Sequence, residues 1–338
     1  MNIEHIWSEW PDAGKFSGVF SVSGEHGVLF EKCCGFRNES EKLENNNGTA
    51  FGIASGTKMF TALAVCKLID DKQLRLEDRL CDIVPHDLGQ VDKRVTVFHL
   101  LTHTSGIGDY LDEESPNFMS KLQSLYDKYP VYLWERLEYY LPMIAPLPPK
   151  FEPGARYGYS NAGYILLGLI IEAVSGVSYQ RFVEEMIIAP LNLTHTGFYR
   201  MNCLPANTAL GYIHDGKTGS PPRTNIFSLP IIGGSDGGLF TCAADLDKLW
   251  RAVFSNKIFS KDMTRVFLKP HVTRDSLKSY GLGVYLHGDG ENLVYYAVGG
   301  DFGVDFFTAY FPKRKFVFSA LGNSQINTFP LLKAILGN

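Results

Sequence analysis

Apolar and polar positions alternate from Phe16 to Ser23 and from Gly27 to Arg37, which predicts two strands joined by the turn Gly24-Glu25-His26-Gly27. A short helix over residues 1–14, carrying Ile3, Ile6, Trp7 and Trp10, precedes them. Phe51 to Ala54 delivers the chain to an apolar run, Thr61 to Ile69, whose pattern predicts a helix ending near Asp70-Asp71. The middle of the chain reads as helical at Val95 to Leu101, at Ala162 to Val174 (closed by Ser175-Gly176) and at Tyr179 to Ile188. Cys242 to Phe254 is also helical, with Leu246, Leu249, Trp250 and Val253 at i, i+3, i+4 and i+7. Pro142 to Pro153 reads as loop, and clustered Gly and Pro between Tyr212 and Gly238 predict hairpins and loops. The last hundred residues are β-rich again: 280–286, 293–298, 306–311 and 316–321, followed by a closing helix over 329–336.

Strands at both ends with helices between them predict an α+β fold. An antiparallel sheet built from both termini is flanked by helices, and a mainly helical lobe is inserted. Residues 1–70 and 240–338 would form the α/β lobe and 71–239 the helical one, with a site between them.

Composition narrows the function classes. The chain has 338 residues, 45% apolar and 20% charged, with net charge −4 and no long block of one sign. Nothing there suggests nucleic acid or an anionic membrane surface. No apolar run approaches the 18 residues of a membrane span, and the first ten residues have no basic start or apolar stretch of a secretory signal. Cys33, Cys34, Cys66, Cys81, Cys203 and Cys242 contain no C-x-x-C pair; the expectation is reduced, buried thiols in a cytoplasmic protein. The nine histidines show no H-E-x-x-H spacing, so neither a metal nor another cofactor is expected.

The candidate chemistry starts at Ser55-Gly56-Thr57-Lys58. On a helix Ser55 and Lys58 share a face, and Ser55 sits in the first turn, where free N–H groups and the helix dipole favour developing negative charge. A serine hydroxyl needs a base to take its proton, and a lysine serves once burial, here beside Met59 and Phe60, lowers its pKa.

The order Ser55-x-x-Lys58, then Tyr159-x-Asn161, then a glycine-bearing strand near the carboxyl end resembles the serine β-lactamase and penicillin-binding-protein superfamily, and within it the class C and esterase-like branch. Leu101-Thr102-His103-Thr104-Ser105-Gly106, Phe151-x-Pro153-Gly154, Pro190-Leu191-Asn192-Leu193 and Gly237-Gly238-Leu239 match further landmarks of that family. The resemblance implies that Ser55 is acylated, that Lys58 and Tyr159 handle its proton, and that Asn161 bonds Lys58 or the substrate amide. It leaves open whether Lys58 or Tyr159 is the base. It also implies an oxyanion hole of two backbone N–H groups, from Ser55 and Gly300.

The third motif departs from the family. A Lys or His would precede a small residue and Gly; this strand reads Ala297-Val298-Gly299-Gly300, so Ala297 takes the cation's place. Lys217-Thr218-Gly219 matches literally, but lies between His214-Asp215-Gly216 and Ser220-Pro221-Pro222 and reads as an exposed hairpin tip. Ala297, Val298 and Gly299 would line the substrate site without a charge for a carboxylate, unless Arg223, His271 or His287 supplies one. The expectation is therefore a serine hydrolase acting on a small-molecule ester, amide or peptide. The alternative is a family member that has lost turnover and serves as a binding or scaffold protein.

Overall fold

The computed structural model describes residues 2–214, 220–324 and 326–337. Helix α1 (Ile3–Glu9) starts at Asn2, whose side chain accepts the His5 N–H, and leads to strands β1 (Gly18–Gly24) and β2 (Gly27–Cys34). Helix α2 (Thr57–Asp70) follows; eleven of its residues are buried, so it is enclosed on nearly every side, as a central helix is. Helix α3 (Asn161–Ser175) is capped by Ser160, whose Oγ accepts the Gly163 N–H at 3.0 Å, and ends at Gly176 in the left-handed conformation. Helix α4 (Tyr179–Val183) widens into a π turn over Glu184–Ile188. Helix α5 (Ala243–Phe254) precedes strands β3 (Val272–Thr273), β4 (Lys278–Tyr280), β5 (Tyr285–His287), β6 (Val294–Asp301), β7 (Val304–Phe311) and β8 (Phe316–Gly322). Helix α6 (Phe329–Leu336) closes the chain.

The eight strands form one antiparallel sheet in the order β2-β1-β8-β7-β6-β5-β4-β3. Register sets what each face buries, because neighbouring residues point to opposite sides. Val19 and its partner Leu321 join the large core with α2, α3 and α5. Phe20 and its partner Ala320 pack with Trp10, Leu331 and Leu332 of the terminal segments on the other face. The sheet flanked by helices is as the sequence predicts.

Three expectations need correction. The run 280–286 is not one strand: it breaks at Gly281–Val284, with Gly283 at φ +80°. A Cβ on Gly283 would lie 2.2 Å from Ala62 Cβ, so the break lets α2 pass close under the sheet. The cysteines form no disulfide among the described residues, but only Cys66 and Cys242 are buried; Cys33, Cys81 and Cys203 are exposed and Cys34 is half-buried. Cys33 and Cys34 lie on β2, an edge strand covered on one side only. Helices Phe118–Lys128 and Lys261–Leu268 fall where no helix is predicted. Lys217-Thr218-Gly219 lies outside the described residues. Among those residues no single helix is long and apolar enough to cross a membrane; α3 and Tyr179–Ile188 qualify only as a pair bent by 77°.

Candidate active site

Ser55 sits in a single 3₁₀ turn, Ala54–Gly56, that runs into α2. Ala54 is held at φ +45°, a conformation that costs an alanine of order 1 kcal/mol and persists only where its surroundings impose it. They do so here. The Ile53 N–H donates to Leu239 O at 2.9 Å, and Thr57 Oγ1 donates to Ala54 O at 2.7 Å while accepting the Leu239 N–H at 3.0 Å. From the other side β6 presses on the turn: a Cβ on Gly299 would fall 2.1 Å from Ile53 O and 2.9 Å from Ser55 N. A Cβ on Gly56 would fall 2.3 Å from the Phe306 ring. Glycine at both positions lets turn and sheet meet.

The four side chains singled out in the sequence converge. Lys58 Nζ lies 3.0 Å from Ser55 Oγ, and donates to Asn161 Oδ1 at 2.7 Å and to Asp236 O at 2.6 Å. The Tyr159 hydroxyl donates to Ser55 Oγ at 2.9 Å. Lys58 is buried, and the rings beside its ammonium are Tyr159 and Tyr164, at 5.0 and 5.6 Å, in place of the expected Met59 and Phe60. Burial lowers the Lys58 pKa against the opposing pull of Asp236, Glu113, Asp109 and Asp301. Burial raises Tyr159 well above the ordinary phenol value, helped by Tyr285 and Glu113. His103, at φ +56°, packs 4.5 Å from the Tyr159 ring, accepts the Ser160 N–H on Nδ1 at 3.1 Å and is held neutral by burial, with Lys58 and Arg274 adding to the effect.

Asn161 is oriented from three sides. Its Nδ2 donates to Leu111 O and Glu113 Oε1, both at 3.0 Å. Its own N–H and that of Ala162 donate to the Asp109 carboxylate at 2.7 and 3.1 Å, so Asp109 satisfies the free N–H groups at the start of α3. Burial outweighs those bonds and pushes Asp109 up to about 6. Asp236, with Tyr110 donating to its carboxylate, completes the corner, and burial raises its pKa too. Sequence reasoning missed Asp109, Tyr110, Glu113, Asp236 and Asp301. The available signal was a polar residue amid glycines: Gly233-Gly234-Ser235-Asp236-Gly237-Gly238 and Gly106-Ile107-Gly108-Asp109.

Ser55 stands where two hollows meet. One, of about 710 Å³, is lined by Tyr159, Tyr285, Val298, Gly299 and Phe306. The other, of about 1000 Å³, is lined by Asn161, Leu111, Asp236, Gly237 and Asp301. Glu113 and Gly300 border both. Ala297 lines neither and is buried in the helix-side core, whereas Val298, Gly299 and Gly300 line the Tyr159 hollow. Among the described residues no Lys, Arg or His lines either hollow. Arg223 bonds Ser228, and His271 bonds Val266 O and packs on Phe98. His287 is buried on β5. A cation the sequence did not suggest, Arg274, stacks on Tyr157 and Tyr285 at 4.6 and 5.3 Å, beside the Tyr159 hollow. Among the described residues no group of three or more His, Cys, Asp or Glu could hold a metal ion.

A serine, lysine, tyrosine and asparagine gathered beside a large antiparallel sheet are the marks of a β-lactamase-like protein, and comparison with known sequences agrees. The chain matches the Beta-lactamase family over residues 6–335 and belongs to it. It is similar to the penicillin-binding protein of Bacillus halodurans, at 36% identity, 99% coverage of both chains and a TM-score of 0.89. Protein flp of Staphylococcus aureus (strain NCTC 8325 / PS 47) is 32% identical over 224 residues, 64% of this chain and 42% of flp, so the chain spans less than half of that relative. A D-stereospecific amidohydrolase from Streptomyces shares the fold, with 22% identity, coverage of 99% and 98%, and a TM-score of 0.79. The superfamily's members are serine hydrolases.

Proposed function

We propose that this protein is a serine hydrolase that forms a covalent acyl-enzyme on Ser55 and acts on esters or amides without a carboxylate close to the scissile bond. The observation that carries this reading is the set of atoms around Ser55 Oγ: an amine at 3.0 Å and a phenol at 2.9 Å, with the cleft open on the remaining side.

The two groups differ in what they can do. A neutral Lys58 amine has two hydrogens, taken by Asn161 Oδ1 and Asp236 O, and one lone pair left for the Ser55 proton. Its lowered pKa makes that neutral form accessible, whereas Tyr159 keeps its proton. Lys58 is therefore the base and Tyr159 the donor. Ser55 Oγ attacks the carbonyl carbon as its proton passes to Lys58. The N–H groups of Ser55 and Gly300 receive the oxyanion. When the tetrahedral adduct collapses, the leaving atom takes the Tyr159 proton, and Tyr159 regains one from Lys58. Water then attacks the acyl-enzyme by the same route in reverse. The absence of a basic residue on β6 beside the cleft favours neutral leaving groups; classical penicillin turnover is correspondingly disfavoured.

The test is intact-protein mass after incubation with a fluorophosphonate, and separately with a penicillin, on wild type and Ser55→Ala. The expected result is a fluorophosphonate adduct on wild type that vanishes in the mutant, and little penicillin adduct. A folded protein that takes neither reagent would overturn the reading in favour of a binding protein.

A further inference from the structure

The segment Leu101-Thr102-His103-Thr104-Ser105-Gly106 supplies no reacting group, yet the proton donor hangs on it. Tyr159 lies in a stretch, 157–160, with neither helix nor strand, so no regular hydrogen bonding fixes its place. The partners of its neighbours lie across the chain instead. The Gly158 N–H donates to His103 O at 2.8 Å, and the Ser160 N–H donates to His103 Nδ1 at 3.1 Å. One residue thus accepts the backbone donors on both sides of Tyr159, and its ring packs 4.5 Å from the Tyr159 ring. Two further bonds continue the seam: Gly154 N–H to Thr104 O at 2.8 Å and Lys150 N–H to Gly106 O at 2.7 Å. His103 is itself tied down, its N–H donating to Leu100 O at 3.3 Å at the end of the short helix Val97–Leu101.

Two features of His103 run against its surroundings. It is held at φ +56°, a left-handed conformation that few residues other than glycine adopt. Its ring is also fully buried in a cage of tyrosines, with Tyr164, Tyr280 and Tyr157 at 4.9, 5.0 and 5.7 Å in addition to Tyr159. Among the described residues its Nε2 has no hydrogen-bond partner in that cage. A phenylalanine would fill the same space without an unpaired polar atom. What the imidazole adds is Nδ1, and Nδ1 serves Ser160. With Nδ1 accepting, the neutral ring carries its proton on Nε2, away from that bond. Backbone strain and an unpaired buried atom meet at one residue, and that residue touches the donor, which is where such costs are tolerated for function.

We propose that His103 is a positioning residue for the proton donor: by holding the backbone on either side of Tyr159 and the face of its ring, it keeps the phenol on Ser55 Oγ through the step in which the leaving atom takes the proton. His103 lines neither hollow, so it acts through Tyr159 and does not meet substrate. The assignment rests on the reading of Tyr159 as donor.

The experiment measures kcat/KM on the whole protein for paired p-nitrophenyl and ethyl esters of acetate and of butyrate. Within a pair the acyl group is the same and only the leaving group differs: nitrophenolate departs without a proton, whereas ethoxide needs one. Two variants divide the contacts. His103→Phe keeps a ring and removes the acceptor. His103→Asn keeps an acceptor the same number of bonds from the backbone and suits the left-handed conformation, but removes the ring, so it carries the test if the phenylalanine variant does not fold. Each should lose about tenfold or more on the ethyl esters and stay within about twofold on the nitrophenyl esters. Fluorophosphonate labelling of Ser55 should keep the wild-type rate. On a Tyr159→Phe background neither substitution should cost anything further. Equal losses on the two esters of a pair, or losses that add to those of Tyr159→Phe, would mean a merely structural residue and overturn the proposal. If Tyr159→Phe itself loses equally on both esters, the donor reading falls and the role of His103 with it, while Ser55 labelling leaves the hydrolase standing. Wild type that hydrolyses none of the four esters and does not label would remove the hydrolase reading altogether.

Discussion

On one side of Ser55 side chains do the positioning: Lys58, Tyr159 and Asn161, braced by Asp109, Asp236 and His103. On the other side β6 offers Val298, Gly299 and Gly300, with no polar side-chain atom among them. The first wall works by atoms that are present and the second by atoms that are absent. A polar wall fails when a group is deleted. A glycine wall fails when one is added, and it can lose a family cation without losing the backbone donors that an oxyanion needs.

The sharpest break in the polar wall is Ser55→Ala. Turnover should fall by about 10⁵-fold with no change in melting, because Ile53 and Thr57, not Ser55, hold the turn. Retained hydrolysis would place the chemistry elsewhere. Tyr159→Phe should cost about 10²–10³-fold on an amide, and clearly less on a p-nitrophenyl ester whose leaving group needs no proton. Equal losses on the two substrates would remove Tyr159 from the donor role.

The glycine wall is tested by a matched pair. Gly299→Ala should destabilise by about 1–3 kcal/mol and lower activity, since its methyl would collide with Ile53 O and Ser55 N. Gly300→Ala meets nothing within 4 Å and should stay within about 0.5 kcal/mol of wild type. Denaturant melts that coincide for the two variants would mean β6 is not seated on the turn.

The smallest effect links the walls through charge. Lys58 must lose a proton to act, so kcat/KM for a neutral ester should rise with pH along a limb below the ordinary lysine value. Asp301 holds the Lys58 pKa up, so Asp301→Asn should move that limb to lower pH. A shift to higher pH would show that Asp301 does not act on Lys58 electrostatically.

How much of this was legible in the sequence follows the same division. The strands of the sheet show as period two, and Ser55, Lys58, Tyr159 and Asn161 show because their chemistry requires those residue types at short spacings. Asp236 showed only as a polar residue amid glycines, and Asp301 was not legible, because its neighbours in space come from segments far away in the chain. Ala297 was misplaced for a different reason: motif alignment gives its position along β6 but does not say that its face is buried against the helices. The break at Gly283 is similar, since its cause is a helix some 200 residues earlier in the chain.

Strand β8 pairs with β1 on one side and β7 on the other. During synthesis, residues 18–24 therefore wait for residues 316–322 before the centre of the sheet can close. The strand that seats the nucleophile turn, β6, also emerges late. Ser55 leaves the ribosome well before β6, so a chain stopped between the two carries the serine without the strand that seats its turn. The topology itself leaves the Ser55 turn unseated until the sheet beside it has closed.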